Sequence, residues 1–277
     1  MIPKLFQFQA SLWWSTAGVT SRARSDDREL SRVTIFGVSI HRLQGDDVLR
    51  EVRRRMDDDD QQTIMYVNSH TLNIARRESR LRAAMASSTF VLNDGIGVGI
   101  AARVHGTRFP ENLNGSDFTL RLLSTAAEAG WRTFFLGGRP GVADEAAERL
   151  RSRYPTLKLV GTRHGFHRDP SGDAKAIRDA GADLVLVAFG NPEQELWLAQ
   201  WLQPSQARLG VAVGAFLDFQ AGRVSRAPKW MNDAGIEWLY RLAQEPARLW
   251  RRYLIGNPVF LACVVIDRVR HGRRAQP

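Results

Sequence analysis

What most constrains this chain is an alternation: short apolar runs rich in β-branched and aromatic residues, each followed by a stretch with helical spacing. The runs are "VTIFGVSI", "TIMYVN", "TFVLND", "RTFFLGG", "LKLVGT", "DLVLVAFG" and "LGVAVGAF". Between them stand "SHTLNIARRESRLRAAMA", "SDFTLRLLSTAAEAG", "GVADEAAERLRSRY" and "PEQELWLAQWL". Strand then helix, repeated, predicts an α/β fold: a Rossmann-like, mostly parallel sheet with helices on both faces. After Phe216 the pattern gives way to "EWLYRLAQEPARLWRRYLIGN", a basic helical C-terminal appendage without strands. The predicted organisation is a flexible N-terminal extension over 1–30, a Rossmann-like domain over 31–222 and the appendage over 223–277. With 44% hydrophobic residues in 277, the chain can bury a sizeable core. The acidic run Asp57 to Asp60 reads as a solvated helix end and turn.

In parallel sheets ligands gather beyond the carboxyl ends of the strands, so the residues just after each run carry the functional weight. They are Asn68, Ser69 and His70; Asn93, Asp94, Gly95 and Gly97; Gly137, Gly138, Pro140 and Gly141; Gly190 to Glu195; and Gly214, Asp218 and Gln220. In "FVLNDGIGVGIAARVHG", Gly97, Gly99 and Ala102 satisfy the G-x-G-x-x-A spacing of a dinucleotide-binding turn. The context fails: "ND" fills the turn, and the next strand ends "FFLGG" without the carboxylate that would hold a ribose. Asp94 then has two readings. Either it is a base presented at a strand end, able to take a proton from an attacking hydroxyl, or it caps the helix beginning near Gly95. "FFLGGRPGVADEAAERL" places free backbone amides near Gly137 and Gly138, suited to phosphate, or forms a plain turn. Asn191 and Gln194 of "AFGNPEQE" offer amides for sugar hydroxyls or a base edge, or serve a proline-initiated helix as caps.

Charge and cysteine content narrow the partners. The net charge of +10 favours anionic ones, and the excess is concentrated in the C-terminal segment. Beyond Arg223 the acidic residues are only Asp233, Glu237, Glu245 and Asp267. With Trp230, Trp238, Trp250 and Tyr253 interleaved, this segment reads as a membrane-surface element. The longest apolar run, Pro258 to Ile266, is about half of the roughly 20 residues a spanning helix needs, so contact with a membrane is expected to be peripheral. No secretory leader is recognised in "LFQFQASLWW", and the single Cys263 fits a reducing cytoplasm and core packing. A nucleic-acid-binding protein is the competing class, but acidic and amide-rich strand-end loops do not suit a phosphate backbone, and no nucleic-acid partner is expected. His70, His105, His164 and His167 are scattered; the close pair "HGFH" has no adjacent carboxylate helix, and no metal site is predicted.

With these residues assembled, the chain resembles the WecG/TagA/CpsF glycosyltransferases, family 26. The resemblance rests on "NSHTLNIARRESRLRAAMASSTFVLNDGIGVGIAARVHG", "NGSDF", "FFLGGRPGVA", "LVGTRHGF", "LVLVAFGNPEQE" and "VGAFLDFQAGRVSRAPKWMNDAGIEWLYRLAQEPARLWRRYL", in order, from about Val33 to Asn257. It implies a metal-independent, inverting enzyme without cofactor. Such an enzyme moves a sugar from a UDP-sugar to an undecaprenyl-diphosphate-linked sugar at the inner face of the cytoplasmic membrane. It further implies Asp94 as catalytic base. Asn68, His70, Asn93, Gly95, Gly137, Gly138, Asn191 and Gln194 are implied around the donor and acceptor pocket, and Arg241, Arg248, Arg251 and Arg252 on the lipid diphosphate. Two positions depart from the family's pattern: Tyr66 stands where many members have threonine, and Asn112 where many have arginine. An N-acetylmannosamine-type donor therefore does not follow from the resemblance, and glucose, another hexose or a uronic acid stays open. The sequence has no D-x-D motif in a strand-end loop, so amides of Gly138 to Val142 and the appendage arginines are expected to meet leaving-group charge. A self-associating form that opens on lipid is a further expectation.

Overall fold

The computed structural model describes residues 31–274 apart from 168, 229 and 232–234, with side chains as far as 270; the 1–30 extension lies outside the described residues. The chain opens with strands β1 (Arg32–Ile35) and β2 (Val38–His41), then helix α1 (Gly45–Asp57). Next come β3 (Gln62–Val67), α2 (Ser69–Ala75), α3 (Ser79–Ala86), β4 (Phe90–Asn93), α4 (Ile96–Val104), α5 (Gly115–Ala129) and β5 (Arg132–Gly137). They are followed by α6 (Val142–Arg153), β6 (Lys158–Arg163), α7 (Pro170–Asp179), β7 (Leu184–Ala188), α8 (Glu193–Ser205) and β8 (Leu209–Ala212). The C-terminal part is helical: α9 (Phe216–Gln220), α10 (Glu237–Gln244), α11 (Pro246–Trp250), a π turn at Arg251–Ile255 and α12 (Gly256–Arg274).

Strands β3 to β8 form one parallel sheet of order β4-β3-β8-β7-β5-β6. Alternate residues of each strand face opposite sides, and both sides are buried, which is why the runs read as apolar throughout. In β7, Leu184, Leu186 and Ala188 join the core under α1, α5, α6 and α9, while Val185 and Val187 join the core under α2, α3, α7 and α8. Two expectations need correction. "VTIFGVSI" is not one strand of the main sheet but the antiparallel hairpin β1–β2, because Phe36 and Gly37 take φ of 53° and 76°, the left-handed pair that closes a two-residue turn. "SHTLNIARRESRLRAAMA" is two helices, since the Glu78 carboxylate accepts from Arg80 N–H at 3.1 Å and starts α3 afresh.

The appendage folds back onto the body. Helix α12 packs on α2 and α4, burying Phe260 and Val264 completely. Phe260 meets Phe36 edge-on at 5.8 Å, and Asn73 Nδ2 donates to Gly256 O at 2.8 Å. Counting uninterrupted apolar residues understated this segment. Pro246–Arg270 is one continuous helical stretch of 25 residues, long and apolar enough to cross a membrane by length and composition. Its inner side, however, is committed to the protein through Leu249, Tyr253, Phe260 and Val264.

Phe260→Ala removes a fully buried ring, a class of change that costs about 3–5 kcal/mol. We expect faster proteolytic cleavage within α12 while the melting of the parallel sheet shifts less; unchanged protease resistance would count against this contact as the anchor.

Candidate active site

The site begins with a helix cap. Asn68 follows β3 in extended conformation as the N-cap of α2, and its Oδ1 accepts from the backbone N–H of His70 and Thr71 and from Thr71 Oγ1, each at 3.1 Å. With the oxygen fully occupied by α2, the amide nitrogen can only point outward, and it donates to Asp94 Oδ2 at 3.2 Å across the neighbouring strand end. Asp94 N–H in turn donates to Val67 O at 2.8 Å, so backbone and side chain are both tied to β3. The capping alternative for Asp94 fails: the N-cap of α4 is Gly95, at φ 87°, and its N–H is met by Asn112 Oδ1 at 3.0 Å. Burial pushes the Asp94 carboxyl above the usual carboxylate range, outweighing the Asn68 hydrogen bond, the charges of Arg252 and Arg241 and the Gly115 amide, which pull it down. That is the environment of a carboxylate made more basic.

The close approach of the two strand-end loops depends on Gly97, where a Cβ would collide with the Ser69 hydroxyl. Thus one glycine of the G-x-G-x-x-A pattern spaces α2 from α4. Asn93 is buried; its Nδ2 holds Glu111 O at 3.0 Å, and its Oδ1 has no partner among the described residues.

A cavity of about 1580 Å³ opens over the carboxyl ends of the strands. Asn68, His70, Asn93, Asp94, Gly95, Gly138, Asn191, Gln194, Arg241, Arg248 and Arg252 all line it. Two expected residues do not. Gly137 lies behind the wall at φ 133°, where a Cβ would sit 2.5 Å from Ala188 O, so it is glycine for packing. Arg251 is exposed and stacks on Trp250 at 5.2 Å. The amides expected to be free are also taken in part: Gly138 N–H donates to Ala188 O and Val142 N–H to Arg139 O, both at 3.0 Å.

Gln194 proves to be a brace. Its Oε1 accepts from Gly190 N–H at 3.2 Å and Gly214 N–H at 2.9 Å, joining the loops after β7 and β8. Its Nε2 donates at 2.8 Å to Glu195 Oε1, which Asn191 Nδ2 also reaches at 2.5 Å. Glu195 is fully buried, and burial pushes its carboxyl up to about 7 despite those two amides.

The cations stand opposite Asp94. Arg241 lies over the Phe219 ring at 5.2 Å and Arg252 over Tyr253 at 5.5 Å. The Nε atoms of both are buried without a hydrogen-bond partner among the described residues, leaving donors for an anion. Burial lowers the Arg252 guanidinium from its ordinary value. Burial and the Arg252 charge hold His70 at about 4, so its ring is neutral at physiological pH. Asp218, named among the strand-end residues, lines the same cavity, as do Arg139 and Glu237, which were not singled out in the sequence. Arg139 sits in the glycine-rich "GGRPG", a usable signal; Glu237 has none short of the fold.

"HGFH" also needs correction. Asp173 of α7 stands beside it, 3.1 Å from His167 Nε2 and 2.9 Å from Arg163 Nε. No group of three or more His, Cys, Asp and Glu side chains suited to a metal occurs among the described residues.

A family model described as the glycosyl transferase WecG/TagA/CpsF family matches residues 33–274. A Bacillus subtilis protein named N-acetylglucosaminyldiphosphoundecaprenol N-acetyl-beta-D-mannosaminyltransferase is 34% identical over 191 residues, covering 69% of this chain and 74% of its own. A Bacillus spizizenii protein of the same name is 33% identical over the same shares.

Two stability signatures follow from the buried acids. An acid raised in the folded state is penalised once ionised, so the penalty is absent below its unfolded value and complete above its folded one. Glu195→Gln should therefore leave stability unchanged at pH 4 and raise it by a few kcal/mol above about pH 7, as urea titrations would read. Asp94→Asn should likewise stabilise at neutral pH and lose that advantage as pH falls toward 3.8.

Proposed function

Because the chain belongs to the WecG/TagA/CpsF glycosyltransferase family and is thus a hexosyltransferase, we propose that it is an inverting enzyme. It moves a sugar from a UDP-sugar to a polyprenyl-diphosphate-linked acceptor in cell-surface polysaccharide synthesis. The observation that carries this reading is Asp94, fixed by Asn68 and made basic by burial, facing arginines with unpaired buried donors across one cavity. Asp94 takes the proton of an acceptor hydroxyl as that oxygen attacks the anomeric carbon. The new glycosidic bond forms as the bond from that carbon to the diphosphate breaks, and UDP leaves with the electron pair on the opposite face, inverting the centre. Arg139 and the guanidinium groups of Arg241, Arg248 and Arg252 supply positive charge to the two diphosphates. Asn191 and Gln194 shape the donor side, the latter chiefly by holding the loops after β7 and β8 in place.

The lipid side is supported by the exposed apolar residues. Among the described large apolar side chains, all the exposed ones except Ile96 and Phe166 lie in the appendage, including Trp250, Leu254, Ile255, Val265, Ile266 and Val269. Exposed Arg251, Arg268 and Arg270 alternate with them. A half-buried helix with an apolar, basic outer side suits peripheral binding to the inner face of the cytoplasmic membrane. It also delivers the acceptor diphosphate beside Arg248 and Arg252.

The names of the two relatives make N-acetylmannosamine the first donor sugar to try and N-acetylglucosamine on diphosphoundecaprenol the first acceptor. Tyr66 and Asn112 are the positions where the donor preference can differ. Tyr66 lines the cavity with its hydroxyl 3.2 Å from Thr119 Oγ1, and Asn112 is spent on the Gly95 amide.

With a panel of UDP-sugars and a short-chain polyprenyl-diphosphate N-acetylglucosamine, we expect UDP release from one donor. Asp94→Asn should lower kcat by about 10²–10⁴ with UDP binding retained; near-normal turnover would refute the base. Ile266→Asp with Val269→Asp should weaken binding to anionic vesicles at least about tenfold, and unchanged vesicle binding would remove the membrane reading.

A further inference from the structure

The appendage does more than close the cavity from outside. Gly235, at φ 71°, packs directly on Ile96, two residues after Asp94, and a Cβ there would lie 2.6 Å from Ile96 Cδ1. This contact brings the first turn of α10 against the turn that presents Asp94. Glu237 is the first residue of α10, half-buried, and it lines the cavity with Asp94.

Its carboxylate makes no hydrogen bond or ion pair with any described residue, although cations are near. Arg226 is pledged instead to Asp117, with Nη1 to Oδ1 at 2.6 Å. Arg241, one turn further along the same helix and in the register that pairs glutamate with arginine, lies over Phe219 instead. Burial and the nearby charge of Asp94 raise the Glu237 carboxyl, while Arg226 and Arg241 pull it down. A free acceptor of hydrogen bonds thus lines the same cavity as Asp94, within reach of its charge, on the wall contributed by the appendage.

We propose that Glu237 is a second carboxylate of the reaction centre, accepting a hydrogen bond from an acceptor-sugar hydroxyl neighbouring the one that Asp94 deprotonates. The inference rests on the transferase reading above and adds to it a residue that selects and orients the acceptor. Chemistry assigns the ligand: a carboxylate repels a diphosphate and receives hydroxyls, so it directs the sugar toward Asp94 and leaves the phosphates to Arg248 and Arg252. Position assigns the substrate: Glu237 opens α10, which Gly235 seats on the turn that presents Asp94, whereas the donor is expected at the loops after β5 and β7.

The test compares the unsubstituted protein with Glu237→Gln and Glu237→Ala, using short-chain polyprenyl-diphosphate N-acetylglucosamine and analogues lacking one hydroxyl each. Glu237→Ala should raise the acceptor KM about tenfold to a hundredfold, with donor KM and UDP binding unchanged. Glu237→Gln should recover part of the loss. One deoxy acceptor should be poor for the unsubstituted protein yet equal to the full acceptor for Glu237→Ala. An acceptor KM within about twofold in both variants, a loss confined to the donor, or equal penalties for every deoxy analogue would overturn the assignment. If the unsubstituted protein transfers no sugar, or Asp94→Asn remains active, the transferase reading itself fails, a result distinct from a silent Glu237.

Discussion

The hydrogen bond from Asn68 to Asp94 is the constraint on which the site depends. Its direction is set from beneath: α2 needs its first amides capped, the cap consumes the Asn68 oxygen, and the nitrogen is left facing the carboxylate. Helix formation and orientation of the Asp94 carboxylate are therefore one event. The arrangement works because β3 and β4 are parallel neighbours in register, Val67 opposite Asn93, which sets successive residues at the same height above the sheet. Burial raises the carboxyl while Asn68 and the arginines pull it the other way.

The rest of the cavity is assembled by two further devices. Gln194 and Glu195 form an internal frame that fixes the loops after β7 and β8 without reaching far into the open space. The C-terminal helices supply the opposite wall with Arg241, Arg248 and Arg252, anchored by Phe260 and Val264 against α2 and α4. The helix that anchors the appendage thus also rests against α2, whose cap orients Asp94.

Much of this was legible in the sequence. Apolar runs with helical spacing between them identified the parallel sheet, because strands buried on both faces leave no polar face to confuse the pattern. The rule that ligands collect at strand ends then led to Asn68, Asp94, Asn191 and Gln194, and all four line the cavity. What was not legible depends on direction rather than type. Gly137 and Gly138 look alike in sequence, yet only one faces the cavity. Arg251 and Arg252 are neighbours pointing opposite ways across a π turn, and no count of charges separates them. The hairpin was read as one strand because the left-handed turn at Phe36–Gly37 falls inside an apolar run. Asp173 and Glu237 carry no local signal, since their neighbours come from distant segments.

The bare Cα of Gly97 has a wider consequence. Pattern searches that take alternate glycines after an apolar run as the mark of a nucleotide loop would misclassify this chain, for here that glycine is a distance gauge between two helix starts. Any bulk at this point would wedge apart the two loops that carry Asn68 and Asp94. The same few atoms of empty space that mimic one enzyme class are what let this one keep Asp94 in line with Asn68.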